Sequence, residues 1–212
     1  MTQPRPAMRI AMSRAAALAG RIMDSVRACA LSRNGVAAVE FAMVLPFMMV
    51  LYFGMAEVTT GVGAARKLTL LSRSLADLTG RAGTVTDTEL NNIFAASAAI
   101  MHPFDGSKVK MRVSSIVVRR ISDTQVEGRV CWSAARGGAT ALSANAIVTV
   151  PDGFRTGNTS YIVADADMDY TPMIGYVVTG TLKLAETTPW PVRNASEVLR
   201  SGTSACLTSP ST

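Results

Sequence analysis

The strongest constraint on this chain is a run of 21 residues, 36–56, that holds a single charged side chain, Glu40. A helix needs about 20 apolar residues to cross the hydrocarbon core of a bilayer. The uninterrupted part, 41–56, has 16 residues and is slightly short; the alanine-rich stretch before it and Val58 after it fill the remainder. The run is apolar on every face of a helix, whereas the surface helix of a soluble protein carries a polar face as well. A removable secretory signal has an apolar core of about 7–15 residues and a small-x-small cleavage site. Here the core is longer, and Gly54-Met-Ala56 matches such a site imperfectly. The run therefore reads as a single transmembrane anchor over 36–57, with Tyr52 and Phe53 toward its outer end, where aromatic rings favour the interface.

Charge sets the orientation. The net charge is +6 and the sequence pI about 9.7, values that suggest a nucleic-acid partner until the charges are placed. Arg5, Arg9, Arg14, Arg21, Arg27 and Arg33 precede the run and are opposed only by Asp24, while the rest of the chain is nearly balanced. The positive-inside rule then puts the N-terminus in the cytoplasm and the following residues outside. Three parts are expected: a basic cytoplasmic leader over 1–35, the transmembrane helix over 36–57, and a periplasmic domain over 58–212. The basic excess is a topology signal, and no nucleic-acid partner is expected.

Glu40 adds information. A carboxylate inside an apolar run costs a few kcal/mol unless it lies at an interface or meets a partner. It stands five residues after Gly35, which follows Arg33-Asn34. A basic stretch, a glycine and an apolar helix with glutamate at its fifth position resemble the processing site of type IV prepilin-like proteins. The longer stretch Gly35-Val-Ala-Ala-Val-Glu40-Phe-Ala-Met-Val-Leu-Pro46-Phe, with Gly54-Met-Ala-Glu57 beyond it, resembles the TadE/TadG family, pilin-like proteins of the tight-adherence (Flp) pilus machinery. That resemblance implies a membrane peptidase site between Gly35 and Val36. It implies that Glu40 meets the free amine of a neighbouring subunit, two charges that stabilise one another in low dielectric. It also marks Pro46 as a kink and Gly54 and Glu57 as packing positions near the helix end. The partners implied are the inner membrane, other pilin-like subunits, the assembly platform and a prepilin peptidase. The long leader and the valine after Gly35 depart from the simplest pilin pattern and keep an uncleaved anchor as the alternative.

Beyond the anchor the helical period continues. Leu68, Leu71, Leu75 and Leu78 form an apolar stripe, and Gly80 is the expected C-cap. Thr86-Asp-Thr-Glu89 has capping-box spacing and opens a second helix over 87–101. His102, the single histidine, follows without ligand-spaced companions. From residue 108 the period becomes two. Val109, Met111 and Val113 alternate with Lys108, Lys110 and Arg112; Val126, Gly128, Val130 and Trp132 alternate with Glu127, Arg129 and Cys131. A turn at 122–124 joins them, and further strands are expected at 146–150, 160–170 and 176–184. Asp165, Asp167 and Asp169 have the spacing of the first ligands of a calcium loop, but Tyr170 and Tyr176 occupy the positions that need glycine and glutamate. They read as one solvated strand face. The fold expected is α+β: an N-terminal transmembrane helix extending into a helical stalk, then an antiparallel sheet of four or five strands packed on helices.

Cys29 precedes the anchor, and Cys131 and Cys206 follow it, which leaves an even pair on the oxidising side as a disulfide candidate. No nucleophile–histidine–acid set, metal cluster or phosphate-cradling loop is visible, so no cofactor, no metal and no enzymatic activity are expected. The reading favoured is a pseudopilin or minor pilin acting in assembly of a Flp-type pilus. The alternative is a membrane-anchored periplasmic binding domain that does not enter a pilus.

Overall fold

The computed structural model describes residues 23–24, 33–122, 125–172 and 180–207. The chain divides into two compact units, Met1–Met55 and Ala56–Thr212. Helix α1 runs Arg33–Arg81 and is followed by β1 (Thr84–Val85), α2 (Asp87–Ala99), β2 (Lys110–Arg120), β3 (Val126–Arg136), β4 (Ile147–Val148), β5 (Thr159–Tyr170), β6 (Leu182–Pro191) and β7 (Leu199–Arg200). The architecture is α+β. Five strands form one antiparallel sheet in the order β4-β3-β2-β5-β6, and β1 pairs in parallel with β7.

In the first unit, α1 is apolar and uncovered. None of its most apolar 18-residue window is buried, and the helix is long and apolar enough to cross a membrane by length and composition. Exposed side chains occur all round it, among them Phe41, Met43, Phe47, Tyr52 and Met55. In the second unit the same helix is amphipathic. Leu68, Leu71, Leu75 and Ala76 are fully buried against Leu90 and Phe94 of α2 and against Met111, Val113, Ile162 and Ala164 of the sheet. The Ser72 hydroxyl reaches across this contact to the Ala164 carbonyl and the Thr188 hydroxyl, both at 2.9 Å, and so ties the helix to β5 and β6 inside the core.

Two expectations about α1 change. Leu78 stays 36% exposed, because the buried stripe turns through Ala76 and Thr79 instead. Gly80 is no cap: the helix continues to Arg81. Gly80 is small because the end of β6 crosses it, and a Cβ there would lie 3.0 Å from the Pro191 carbonyl oxygen. The adjoining contacts hold that crossing. The Gly80 carbonyl accepts from the Arg193 amide, and Asp77 accepts from the Trp190 indole at 3.0 Å.

The capping box at the start of α2 is formed. Thr86 Oγ1 accepts from the Glu89 amide at 3.2 Å, and the Glu89 carboxylate accepts from the Thr86 amide at 2.8 Å. The Thr86 backbone bond, with its hydroxyl second, holds the Glu89 carboxyl below its ordinary value. Its contribution is therefore present above the ordinary glutamate range and is lost as pH falls through the lowered value. Replacing Thr86 by alanine is expected to cost about 1 kcal/mol, read as a drop in the denaturation midpoint at neutral pH.

The β2–β3 hairpin forms as expected, with one break in its alternation. Ser115 pairs with Trp132 and Ile116 with Val130, so Cys131 is an extra residue on β3. Such a bulge turns two successive side chains to one face. Cys131 and Trp132 both enter the helix-side core, while Val130 joins Ile116, Val118 and Tyr161 in a second cluster. That cluster is closed by Val148, Val150 and Phe154, the last stacked on Tyr161 with ring centroids 4.8 Å apart. At the end of β3, Gly137 has φ +71°, and a Cβ there would sit 2.2 Å from the Val109 carbonyl oxygen. Only glycine fits.

The strand expected at 146–150 is reduced to Ile147–Val148. The one expected at 176–184 begins instead at Leu182 and runs to Pro191; residues 176–179 lie outside those described. Between β5 and β6 the described residues reach Pro172 and resume at Gly180. The second helix stops at Ala99, two residues early, and His102-Pro103 follows as a cis peptide. As far as Leu207 the C-terminal segment is tied down: β7 pairs with β1, and Trp132 of β3 and Arg119 of β2 bond the Val198 and Cys206 carbonyls.

Candidate functional site

The residues that carry the pilin-like pattern all lie on α1. Gly35 and Val36 sit in its first turn, and Glu40 follows one turn later. Val36 and Glu40 are four residues apart and share a helix face. Both are exposed, so that face is open to a neighbour. Pro46 lies inside the helix without interrupting it. Proline has no amide to donate and so frees the carbonyl of Ala42 four residues earlier. Gly54 is buried and exposes no side chain, and Glu57 is buried where the apolar run ends. The first three markers lie in one unit with Pro46 and Gly54, and Glu57 lies in the other, one residue past its start.

Cys131 and Cys206 are joined by a disulfide with their Cα atoms 5.8 Å apart. The bulge on β3 aims Cys131 at the tail. Glu197, also buried, accepts from the amides of Cys206 (3.0 Å) and Leu207 (3.3 Å), and the Arg119 guanidinium donates to the Cys206 carbonyl at 3.2 Å. The Trp132 indole donates to the Val198 carbonyl at 2.7 Å. Cys131, Cys206 and Glu197 place one potential ligand atom each within 4.8 Å, but the sulfurs are bonded to each other and the carboxylate is taken by two amides. The cluster is a fastening for the tail.

Asp165, Asp167 and Asp169 project from the β5 face opposite Ala164, Ala166 and Met168. Arg112 binds Asp165 at 2.8 Å, and Lys110 lies 3.7 Å from Asp167 and 3.9 Å from Asp169. The three carboxylates thus form a cross-strand ladder with the cations of β2, partly open to solvent. His102 is exposed. Among the described residues, no serine or cysteine nucleophile is paired with it.

One feature was not visible in the sequence. In the second unit an apolar groove of about 270 Å³ opens between α1 and the β5–β6 hairpin. Glu57, Val58, Gly61, Val62 and Ala65 form one wall; Tyr170, Pro172, Leu182 and Leu184 form the other. Its walls come from residues 100 or more apart in the chain, so no local pattern marks it. Tyr170 approaches Gly61 closely: a Cβ there would lie 3.5 Å from its ring. Phe104 packs edge-on against Tyr170, centroids 6.4 Å apart.

Residues 35–76 match a family model described as TadE-like protein. The match begins at the glycine of the processing pattern and ends within the buried stripe of α1, and it agrees with the TadE/TadG resemblance read from the motif. No curated protein and no solved structure matches the chain.

Proposed function

We propose that this chain is a TadE-like pseudopilin or minor pilin that acts in assembly of a tight-adherence pilus. The observation that carries the reading is the TadE-like match over 35–76, which falls on the helix that carries Glu40. Over the apolar run that helix leaves its large apolar side chains exposed, and they need lipid or neighbouring helices around them. In this reading the run 36–57 spans the inner membrane once. The basic leader stays in the cytoplasm, and residues 58–212 fold in the periplasm, where the Cys131–Cys206 bond is stable. Neighbouring pilin-like helices pack along the anchor, and the Glu40 carboxylate meets a subunit amine in low dielectric. The work is subunit packing rather than catalysis, with the assembly platform and a prepilin peptidase as further partners.

Glu40→Ala tests this. The variant is expected to reach wild-type protein level and membrane insertion but to lose pili counted by electron microscopy. Wild-type piliation would remove the proposed role of Glu40. Mass spectrometry of the same membrane preparations reports the N-terminus: a start at Val36 indicates cleavage after Gly35, and an intact leader indicates an uncleaved anchor.

A further inference from the structure

The tail reaches Cys131 by contacts other than the disulfide. β7 is fixed on its own: the Leu199 and Ser201 amides donate to the Gly83 and Val85 carbonyls at 3.0 and 2.9 Å, and the Trp132 indole holds the Val198 carbonyl. The chain then reverses at Gly202, whose φ of +86° glycine adopts without strain. The Thr203 amide and hydroxyl both donate to the Arg200 carbonyl, at 2.9 and 2.7 Å, and close the turn. The return leg ends on Glu197, whose buried carboxylate accepts the Cys206 and Leu207 amides. A side chain nine positions earlier thus delivers the Cys206 sulfur to a partner 75 residues away. The two sulfurs differ in access. Cys131 is 8% exposed, whereas Cys206 is partly buried and follows the exposed run 201–204.

We propose that Glu197 is a positioning residue for formation of this disulfide, and that oxidation enters at Cys206 and is resolved by Cys131. The oxidant is a disulfide of the compartment that receives the domain. The Cys206 thiolate attacks one oxidant sulfur and expels the other as a thiolate, which leaves a mixed disulfide on Cys206. The Cys131 thiolate then attacks Cys206 Sγ and expels the remaining oxidant thiolate. The protein gives up two electrons and two protons, and the oxidant takes them up as two thiols. Access selects Cys206 for the first step, because exchange needs an open approach to the attacking sulfur. Position governs the second. The Glu197 bonds, with the Arg119 guanidinium on the Cys206 carbonyl at 3.2 Å, hold the return leg before any sulfur–sulfur bond exists. Two reacting groups held together in this way meet at a high effective concentration. The role is independent of the pilus assignment.

The test uses the full-length chain in detergent, in a Cys29→Ala background, reduced and then exposed to oxidised glutathione. Acid-quenched samples are read by mass spectrometry and peptide mapping. Cys131→Ser, which leaves Cys206 as the one thiol, is expected to take up glutathione about tenfold faster than Cys206→Ser, which leaves Cys131. Equal rates, or a faster Cys131, overturn entry at Cys206. With both cysteines present, Glu197→Ala is expected to accumulate the single adduct on Cys206. Its effective thiol concentration at redox equilibrium with glutathione should fall about tenfold, the scale of a hydrogen bond to a charged group. Glu197→Gln, whose amide oxygen still accepts, is expected to recover most of that loss. If neither variant departs from the parent, or if Glu197→Gln falls as far as Glu197→Ala, positioning by Glu197 is overturned. Glutathione on both cysteines of Glu197→Ala would show an opened domain, and it overturns a role confined to the loop.

Discussion

The full-length chain carrying Cys131→Ser and Cys206→Ser is expected to lose about 4 kcal/mol of domain stability. The bond closes a loop between residues 75 apart, and the chain-entropy cost of leaving such a loop open is of that order. The tail has other ties, so the native state survives the loss. Trp132 still bonds the Val198 carbonyl, Glu197 still caps two amides, and β7 still pairs with β1. The effect therefore falls mainly on the unfolded chain, and the folded variant keeps its tail in place. Urea denaturation of the detergent-solubilised protein, followed by tryptophan fluorescence, reads this cleanly. The chain has two tryptophans, Trp132 and Trp190, and both lie in the unit that holds the sheet. Wild-type protein unfolded in reducing agent should match the double variant. An unchanged midpoint in both would mean that the bond is absent from the purified protein or contributes nothing. The same comparison bears on compartment, because a domain that leans on this bond is weakest where thiols are kept reduced.

What was legible in the sequence was what depends on neighbouring residues. The apolar run, the capping box at Thr86 and Glu89, and the two-residue period of β2 and β5 are local patterns with local causes. What escaped depends on contacts between distant segments. Gly80 looked like a helix end because glycine usually is one; its smallness instead admits Pro191, 111 residues later. The β3 alternation runs on through Cys131 in the sequence, where an added residue is invisible to a two-residue period, yet it alone reverses the face of Trp132. The β1–β7 pair joins two-residue segments from opposite ends of the domain, too short to carry any pattern. The candidate site divides in the same way. Glu40 and its distance from Gly35 are a sequence motif, whereas the apolar groove exists only once β5 and β6 are laid beside α1.

A single substitution made twice on α1 separates the two environments of that helix. Leu71→Ala is expected to cost about 3 kcal/mol in the tryptophan-monitored unfolding. Leu51→Ala is expected to shift it by less than about 0.5 kcal/mol. The chemistry removed is identical, and both leucines lie within one continuous helix, Arg33–Arg81. The surroundings differ. Leu71 is fully buried among Leu68, Leu75 and the β5 side chains, where truncation leaves a cavity that close-packed neighbours fill only in part. Leu51 is 51% exposed in a stretch that makes no core, so its truncation leaves no cavity in the domain. The contrast also tests the division at Met55–Ala56. If Leu51→Ala weakened the domain as much as Leu71→Ala, the run and the domain would unfold as one cooperative unit. The anchor would then be part of the domain's core rather than a membrane segment joined to it. If Leu71→Ala were neutral, α1 would not pack on the sheet, and the groove beside Tyr170 would lose the wall that defines it.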